Sequence, residues 1–309
     1  MPEAWKASMA AASVALGLLP TLLAAIGPSI SETSLLSSQR PMLAFLLSLG
    51  APAAQPSRLL EYEDPFDLLD ARGGRLVVPP LSPLSAMAVS GLEYVAAAAA
   101  VANALHTSFQ LGINTVSAAS CTIWELPMIW SLLSVVVHLV AAVGFWNRVR
   151  DNTRGSQDSS TGTPIQNTSS PIVPAEQHHG AAEVEITLMP LTLQRRSGSS
   201  QVKSENSLNA LWHSILQQME REFLPCSNRT PSTISIKPSK MPRLAVLLAV
   251  LASFAAYVQL ICGTVFLASL LFVSVKDAVV NIVLRFVLSA ILCRLVLLVE
   301  LGGMRRPVQ

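Results

Sequence analysis

Five long apolar segments constrain the fold of this chain more than any other feature of its sequence. A helix that crosses a bilayer needs roughly 20 apolar residues at about 1.5 Å of rise per residue, and each segment is long enough. Backbone amides in lipid must find their partners within the segment itself, so each segment is expected to be a helix. The predicted spans are residues 7–30, 84–106, 123–146, 244–275 and 278–301.

The composition agrees with a lipid environment. Hydrophobic residues make up 51% of the 309 positions and charged residues only 13%, and the mean hydropathy is +0.49. Soluble domains usually carry about 25% charged residues. The net charge of +2 gives no sign of a nucleic-acid partner, so the expected partner is the bilayer itself.

A sixth apolar segment, residues 41–54, is short for a membrane crossing. As a helix it would cover only about 21 Å, which favours a re-entrant or interfacial position, or packing on a neighbouring segment, over a full crossing. We therefore expect an all-α integral membrane protein: a bundle of about five spans, one short re-entrant or interfacial helix and a long disordered cytoplasmic loop. The corresponding regions are 1–54 (first span and short helix), 55–83 (acidic and proline-rich loop), 84–146 (two-span hairpin), 147–243 (polar loop) and 244–309 (two-span hairpin with a basic tail).

Basic residues predict the orientation, because lysine and arginine gather on the cytoplasmic side of spans. They flank the third, fourth and fifth spans at Arg148, Arg150, Arg154, Lys237, Lys240, Arg243, Arg305 and Arg306. The loop 147–243 and the C-terminus are thus predicted to be cytoplasmic, while the side of the N-terminus stays open. The acceptor patterns at Asn167 and Asn228 would then carry no glycan.

The polar loop has two parts. Residues 147–206 are rich in small polar residues and proline, which predicts disorder because little apolar surface is available to offset the ordering entropy. Residues 207–224 have a helical apolar period and predict an amphipathic helix that lies on the membrane, docks a partner protein or packs on the bundle. Its apolar positions are Leu208, Leu211, Trp212, Ile215, Leu216, Met219 and Phe223.

Ionisable residues inside predicted spans are costly and usually face protein. Counting depth from the cytoplasmic ends places Glu93, His138 and Arg294 at one level and Gln259 and Arg285 at another. The expected network pairs Glu93 with Arg294, with His138 as a bridge, and brings Arg285 near Gln259. Such a network could relay protons or bind a polar solute, or it could only fix the helix register.

No pattern for an enzyme or a cofactor is present. The sequence has no nucleophile elbow, no zinc-protease helix, no phosphate-binding loop and no dinucleotide fingerprint. Its four cysteines have neither metal-ligand spacing nor an evident pairing, and the acidic run at 61–70 lacks the calcium-loop pattern. We expect no enzyme activity, no cofactor and no metal.

Residues 17–24 read GLLPTLLA, and residues 34–50 read SLLSSQRPMLAFLLSLG. These stretches resemble a family of uncharacterised multi-pass membrane proteins of filamentous fungi. The resemblance covers about the first fifth of the chain. It implies a fungal source and a membrane location, and it carries no catalytic residues.

Two functions remain open from the sequence. The first is a non-catalytic membrane protein, a scaffold, assembly factor or signalling partner that binds another protein through the 147–243 loop. The second is a small-solute or proton-coupled transporter that uses Glu93, His138 and Arg294.

Overall fold

The computed structural model describes residues 3–56, 81–117, 124–160, 186–187, 222–228, 233–234, 243–271 and 273–304. The described residues form a helical bundle in which five long apolar helices are candidate membrane spans, as predicted. The helices are α1 (Glu3–Ile26), α2 (Ile30–Gln39), α3 (Pro41–Gly50), α4 (Pro83–Asn114), α5 (Leu126–Ser160), α6 (Arg243–Ala268) and α7 (Leu284–Met304), the last preceded by a π-helical stretch, Asp277–Val283. Short strands are β1 (Val116–Ser117), β2 (Ile186–Thr187), β3 (Thr233–Ile234) and β4 (Leu270–Leu271), and a 3₁₀ turn covers Cys226–Asn228.

The five spans form a ring. Around the ring, α1 packs on α6, α6 on α5, α5 on α4, α4 on α7, and α7 again on α1. Helix α1 packs against both α6 and α7, the two spans of the region 244–309 that the sequence predicts to be a hairpin. The outer faces expose large apolar side chains, such as Leu18, Leu247 and Leu295, which identifies them as the surface that contacts lipid.

The short helices α2 and α3 fill the ring. Helix α2 packs against α5 and α7 and is buried along nearly its whole length, whereas α3 packs between α4 and α5 and exposes Met42 and Phe45. The bridge between Ser29 and Gln55 brings the start of α2 beside the segment that follows α3, so the two helices form an antiparallel pair. The prediction of a short apolar helix within residues 41–54 is confirmed.

Local sequence explains where these helices begin. The first span ends at Ile26, ahead of Gly27 and Pro28, so the predicted continuation to residue 30 is wrong. Ser29 then starts α2 with a capping box, in which its hydroxyl accepts from the Glu32 amide and the Glu32 carboxylate accepts from the Ser29 amide. Pro41 occupies the first turn of α3, where a missing N–H has no cost.

Other boundaries also differ from the prediction. Helix α4 reaches Asn114 rather than residue 106, and α5 continues to Ser160 although residues 147–160 are polar. No proline occurs between 147 and 160 to end the helix, so this part of the loop is helical rather than disordered. Most of the remaining predicted disordered region, and all of the acidic run at 61–70, lie outside the described residues.

Helix ends and strand pairing define two ends of the bundle. At one end, β1 after α4 pairs with β4 after α6. At the other end, the start of α4, the end of α7 and residues 222–228 meet, because the backbone of Leu81 bonds with Asn228 and Gly303 packs on Ser227. The latter is called the clasp end below, and residues Glu222–Asn228 are called the clasp segment.

Candidate functional site

Arg40 lies at the junction of α2 and α3, and its side chain is fully buried. A residue before proline is held out of the helical region by the proline ring, and Arg40 accordingly has φ −135° and ψ 77°. The junction turns the chain sharply, so the guanidinium is carried into the bundle rather than to its lipid-facing surface.

Four groups surround that guanidinium. Its Nη1 atom lies 2.5 Å from Glu93 Oε2 on α4 and 2.6 Å from Glu300 Oε1 on α7. Its Nη2 atom donates to Ser90 Oγ at 2.6 Å, and Nε donates to the backbone oxygen of Glu222 at 2.9 Å. These five residues are called the Arg40 cluster, and they join four separate parts of the chain.

Charge explains why Arg40 remains ionised at this position. Burial alone would lower its pKa, but the carboxylates of Glu300 and Glu93 raise the pKa above its usual value. The Tyr94 ring also faces the guanidinium carbon, 5.3 Å from the ring centroid. Arg40 is therefore a permanent cation with two acidic side chains beside it.

The Glu222 side chain caps α3 from a distance of 180 residues along the chain. Its Oε1 atom accepts from the backbone amides of Met42 at 2.8 Å and Leu43 at 3.2 Å, and from the Tyr94 hydroxyl at 3.0 Å. The first amides of a helix have no partner within the helix, and the helix dipole favours an anion there. Glu222 therefore satisfies a helix start that no neighbouring side chain caps.

The rest of the clasp segment is held by the same helices. The amide of Cys226 donates to Glu300 Oε2 at 3.3 Å, and Cys226 itself is buried. Asn228 bonds with both backbone groups of Leu81, at 2.8 and 2.7 Å. The segment thus covers the clasp end of the bundle through contacts to α3, α4 and α7.

A second buried ion pair joins the start of α2 to α7. Arg294 donates to Glu32 Oε2, the same carboxylate oxygen that accepts from the Ser29 amide. Glu32 is only 1% exposed, so its charge depends on this arginine. The pair fixes the depth of α2 within the ring.

His138 contacts α2, and Gln259 contacts the segment that follows α3. His138 Nδ1 lies 2.7 Å from the Thr33 hydroxyl on α2. Gln259 donates to the backbone oxygen of Pro52 at 2.9 Å, and the Trp130 indole donates to the Gln259 backbone at 3.1 Å. Among the described residues, three buried side-chain atoms have no hydrogen-bond partner: Glu93 Oε1, His138 Nε2 and Gln259 Oε1.

The predicted pairings within the membrane are wrong. Glu93 pairs with Arg40, and Arg294 pairs with Glu32, so Glu93 and Arg294 are not partners. His138 does not bridge them.

The second predicted level is also wrong, because Arg285 bonds with Gln110 at an exposed position. A depth count considers only the long spans. The short helices, however, bring Glu32, Thr33 and Arg40 into contact with Arg294, His138 and Glu93. The pattern Ser29-x-x-Glu32 and the arginine before Pro41 were the signals in the sequence for these positions.

The predicted amphipathic helix can be followed only at its end. Leu208, Leu211, Trp212, Ile215, Leu216 and Met219 lie outside the described residues. Phe223 is half exposed and packs on the Tyr94 ring at 5.2 Å between centroids, whereas Glu222, which is not among the predicted apolar positions, is buried. At this end of the segment, Phe223 of the apolar stripe and its neighbour Glu222 both contact the bundle at Tyr94.

The Arg40 cluster offers buried ionisable groups, whose chemistry is the binding of charge and protons. Within the described ranges, no group of three or more histidine, cysteine, aspartate and glutamate residues could hold a metal ion. Comparisons with protein-family models, with curated proteins and with solved structures gave no match. The function of this chain is therefore inferred from its own contacts.

Proposed function

We propose that this chain is a non-catalytic membrane protein, a scaffold, assembly factor or signalling partner that presents the 147–243 loop to another protein. The observation that carries the proposal is the anchoring of the loop's clasp segment to the Arg40 cluster. A buried arginine, Tyr94 of α4 and Glu300 of α7 contact the clasp segment directly. The loop is therefore tied to the interior of the bundle.

The bonding of Arg40 supports this role. Its Nε, Nη1 and Nη2 atoms all contact other groups of this chain, namely Glu222, Glu93, Glu300 and Ser90. An arginine that serves a solute would need a donor free for that solute. Here the donors instead connect α4, α7 and the loop, which suits transmission of a loop event to the spans.

The orientation belongs to the same proposal. The end of α5, the start of α6 and the end of α7 lie at the clasp end, since Gly144 packs on Leu248 and Gly303 on Ser227. Basic residues adjoin these three helix ends in the sequence, which favours a cytoplasmic position for the clasp end. A cytoplasmic loop would be open to kinases at its serine and threonine residues.

A pair of matched deletions tests the proposed role in a null mutant of the source cell. Removal of residues 161–221 leaves α5 and the clasp segment in place and should abolish rescue while the protein still reaches the membrane. Replacement of the same residues by a glycine and serine linker of equal length should fail as well, because the partner would have nothing to bind. Full rescue by both variants would contradict the proposal.

A transporter is the second candidate, and one observation favours it. Glu93 Oε1 and His138 Nε2 are buried without a partner within the described part of the chain. Unpaired polar atoms inside a membrane bundle are costly and are typical of solute or proton pathways. Discontinuous helices such as α1–α2–α3 also occur in transporters.

Flux through reconstituted vesicles separates the two candidates. A transporter should lose solute or proton flux when Glu93→Gln is introduced, and Glu125→Gln, at an exposed position, should leave flux unchanged. Arg294 would position α2 through Glu32 and would not contact the solute. Equal flux in the wild type, in Glu93→Gln and in empty vesicles would exclude the transporter.

A further inference from the structure

The Arg40 cluster contains more acidic groups than cations. One guanidinium nitrogen contacts both Glu93 Oε2 and Glu300 Oε1, at 2.5 and 2.6 Å. Arg40, Glu93 and Glu300 are each at most 6% exposed in their side chains, so water cannot screen the arrangement. If both carboxyl groups were ionised, one negative charge would be buried without a counter-charge, at a cost of several kcal/mol.

The surrounding charges do not remove this imbalance. Glu222 is a further acidic group, and the amides at the start of α3 and the Tyr94 hydroxyl hold it. Arg294 is engaged by Glu32 on α2. Arg148, near the end of α5, is a further buried basic side chain.

The hydrogen bonds distinguish the two carboxyl groups. Glu300 accepts at both oxygens, from Arg40 at Oε1 and from the Cys226 amide at Oε2. Glu93 accepts from Arg40 at Oε2, and its Oε1 atom has no donor among the described residues. A buried oxygen without a donor is the position at which a carboxyl group is most stable with a hydrogen attached.

We propose that Glu93 is a proton-binding site, with the proton on Oε1 and with Glu300 as the single carboxylate that balances Arg40. The site holds one proton at neutral pH because two carboxyl groups compete for one guanidinium. Loss of that proton would place a second negative charge beside Glu222, the residue that holds the clasp segment. The site thus links protonation within the bundle to the contact that anchors the loop, and it does not depend on the identity of the loop's partner.

Infrared spectroscopy of the full chain in lipid bilayers tests this site. The wild type at neutral pH should show the C=O band of a buried carboxylic acid, shifted to lower frequency in D₂O. Glu93→Gln should remove that band. Glu300→Gln should remove it too, because Glu93 would then ionise as the only acidic partner of Arg40.

Glu125→Gln is the matched control and should leave the band unchanged, since Glu125 is exposed outside the cluster. Absence of the band from the wild type would overturn the proposal even if neither variant folds. Retention of the band in Glu300→Gln would also overturn it, because burial alone would then protonate Glu93. Loss of the band in both variants, with the control intact, would support the shared balance of charge.

Discussion

Glu222 should hold the clasp segment closed, and Cys226 in the same segment reports whether it does. Truncation by Glu222→Ala removes the oxygen that accepts from Met42, Leu43 and Tyr94. The two amides at the start of α3 would lose their partner in a buried environment. We therefore expect the clasp segment to open far more often while the bundle remains folded.

The size of the effect follows from these contacts. Leaving a buried donor without its acceptor usually costs about 1–3 kcal/mol. A value of about 3 kcal/mol corresponds to a roughly hundredfold rise in the open population, at about 1.4 kcal/mol for each factor of ten. Glu222→Gln keeps an accepting oxygen and loses only the charge at the helix start, worth about 0.3–1 kcal/mol, so its effect should be about fivefold or less.

The assay is the rate of thiol modification, resolved for each cysteine by peptide mass spectrometry. Cys226 is buried within the clasp segment and should react only through local opening, so its rate should follow the open population. Cys293 is fully buried on α7 and reports opening of the bundle itself. The expected result for Glu222→Ala is a large rise at Cys226 with no rise at Cys293.

Two results would refute this reasoning. Equal Cys226 rates in the wild type and in Glu222→Ala would mean that Glu222 does not hold the segment. A parallel rise at Cys226 and Cys293 would mean that the substitution unfolds the bundle rather than the clasp. Glu125→Ala, at an exposed carboxylate, should change neither rate.

Three further predictions concern packing, the second ion pair and modification. Gly263→Ala would place a methyl group on the Trp130 indole and should destabilise the protein by about 1–3 kcal/mol, whereas Gly91→Ala meets no atom within 4 Å and should leave thermal stability in detergent nearly unchanged. Arg294→Gln should lower that stability by about 3 kcal/mol because it removes the cation that pairs with a buried carboxylate, and Arg294→Lys should recover part of the loss. Asn228 should carry no glycan, because its side-chain amide bonds with both backbone groups of Leu81. A glycosidase-sensitive mass shift at this residue would contradict both the fold of the clasp segment and the proposed orientation.

The sequence predicts the spans well because one strong physical constraint governs them. Apolar length and the need to bond backbone amides in lipid leave the helix as the one outcome for each long segment. The same length requirement indicates that a helix within residues 41–54 is short for a crossing. Span ends were less accurate, because Gly27 and Pro28 ended α1 early while the polar residues after Trp146 continued α5.

The network could not be predicted in the same way. Counting depth along straight helices treats each span as a rod and gives no position for residues between spans. Arg40 and Glu32 lie between the long spans, so a depth count gives them no position. Both nevertheless supply the partners of ionisable residues in the spans. The contact of Glu222 with the start of α3 could not be predicted either, since no local pattern relates two positions 180 residues apart.

Interruption of the helices accounts for much of the polarity inside this bundle. Each break leaves backbone groups without helical partners, and in lipid these groups need side chains to replace water. At the end of α3, Ser134 donates to the Ala51 oxygen at 2.8 Å and Gln259 donates to the Pro52 oxygen at 2.9 Å. At the start of α3, Glu222 serves the same purpose for the amides.

Two buried polar atoms do not bond with backbone groups at a helix interruption. Glu93 Oε1 and His138 Nε2 contact no backbone group and have no partner within the described residues. A polar atom in such a position is costly, so a bundle that needed only stability would do better with an apolar residue there. If Glu93→Leu or His138→Leu raised the thermal stability of the protein and abolished its function in the cell, the two atoms would be retained for function rather than for the fold. If either variant kept full function, that residue would belong to the architecture alone.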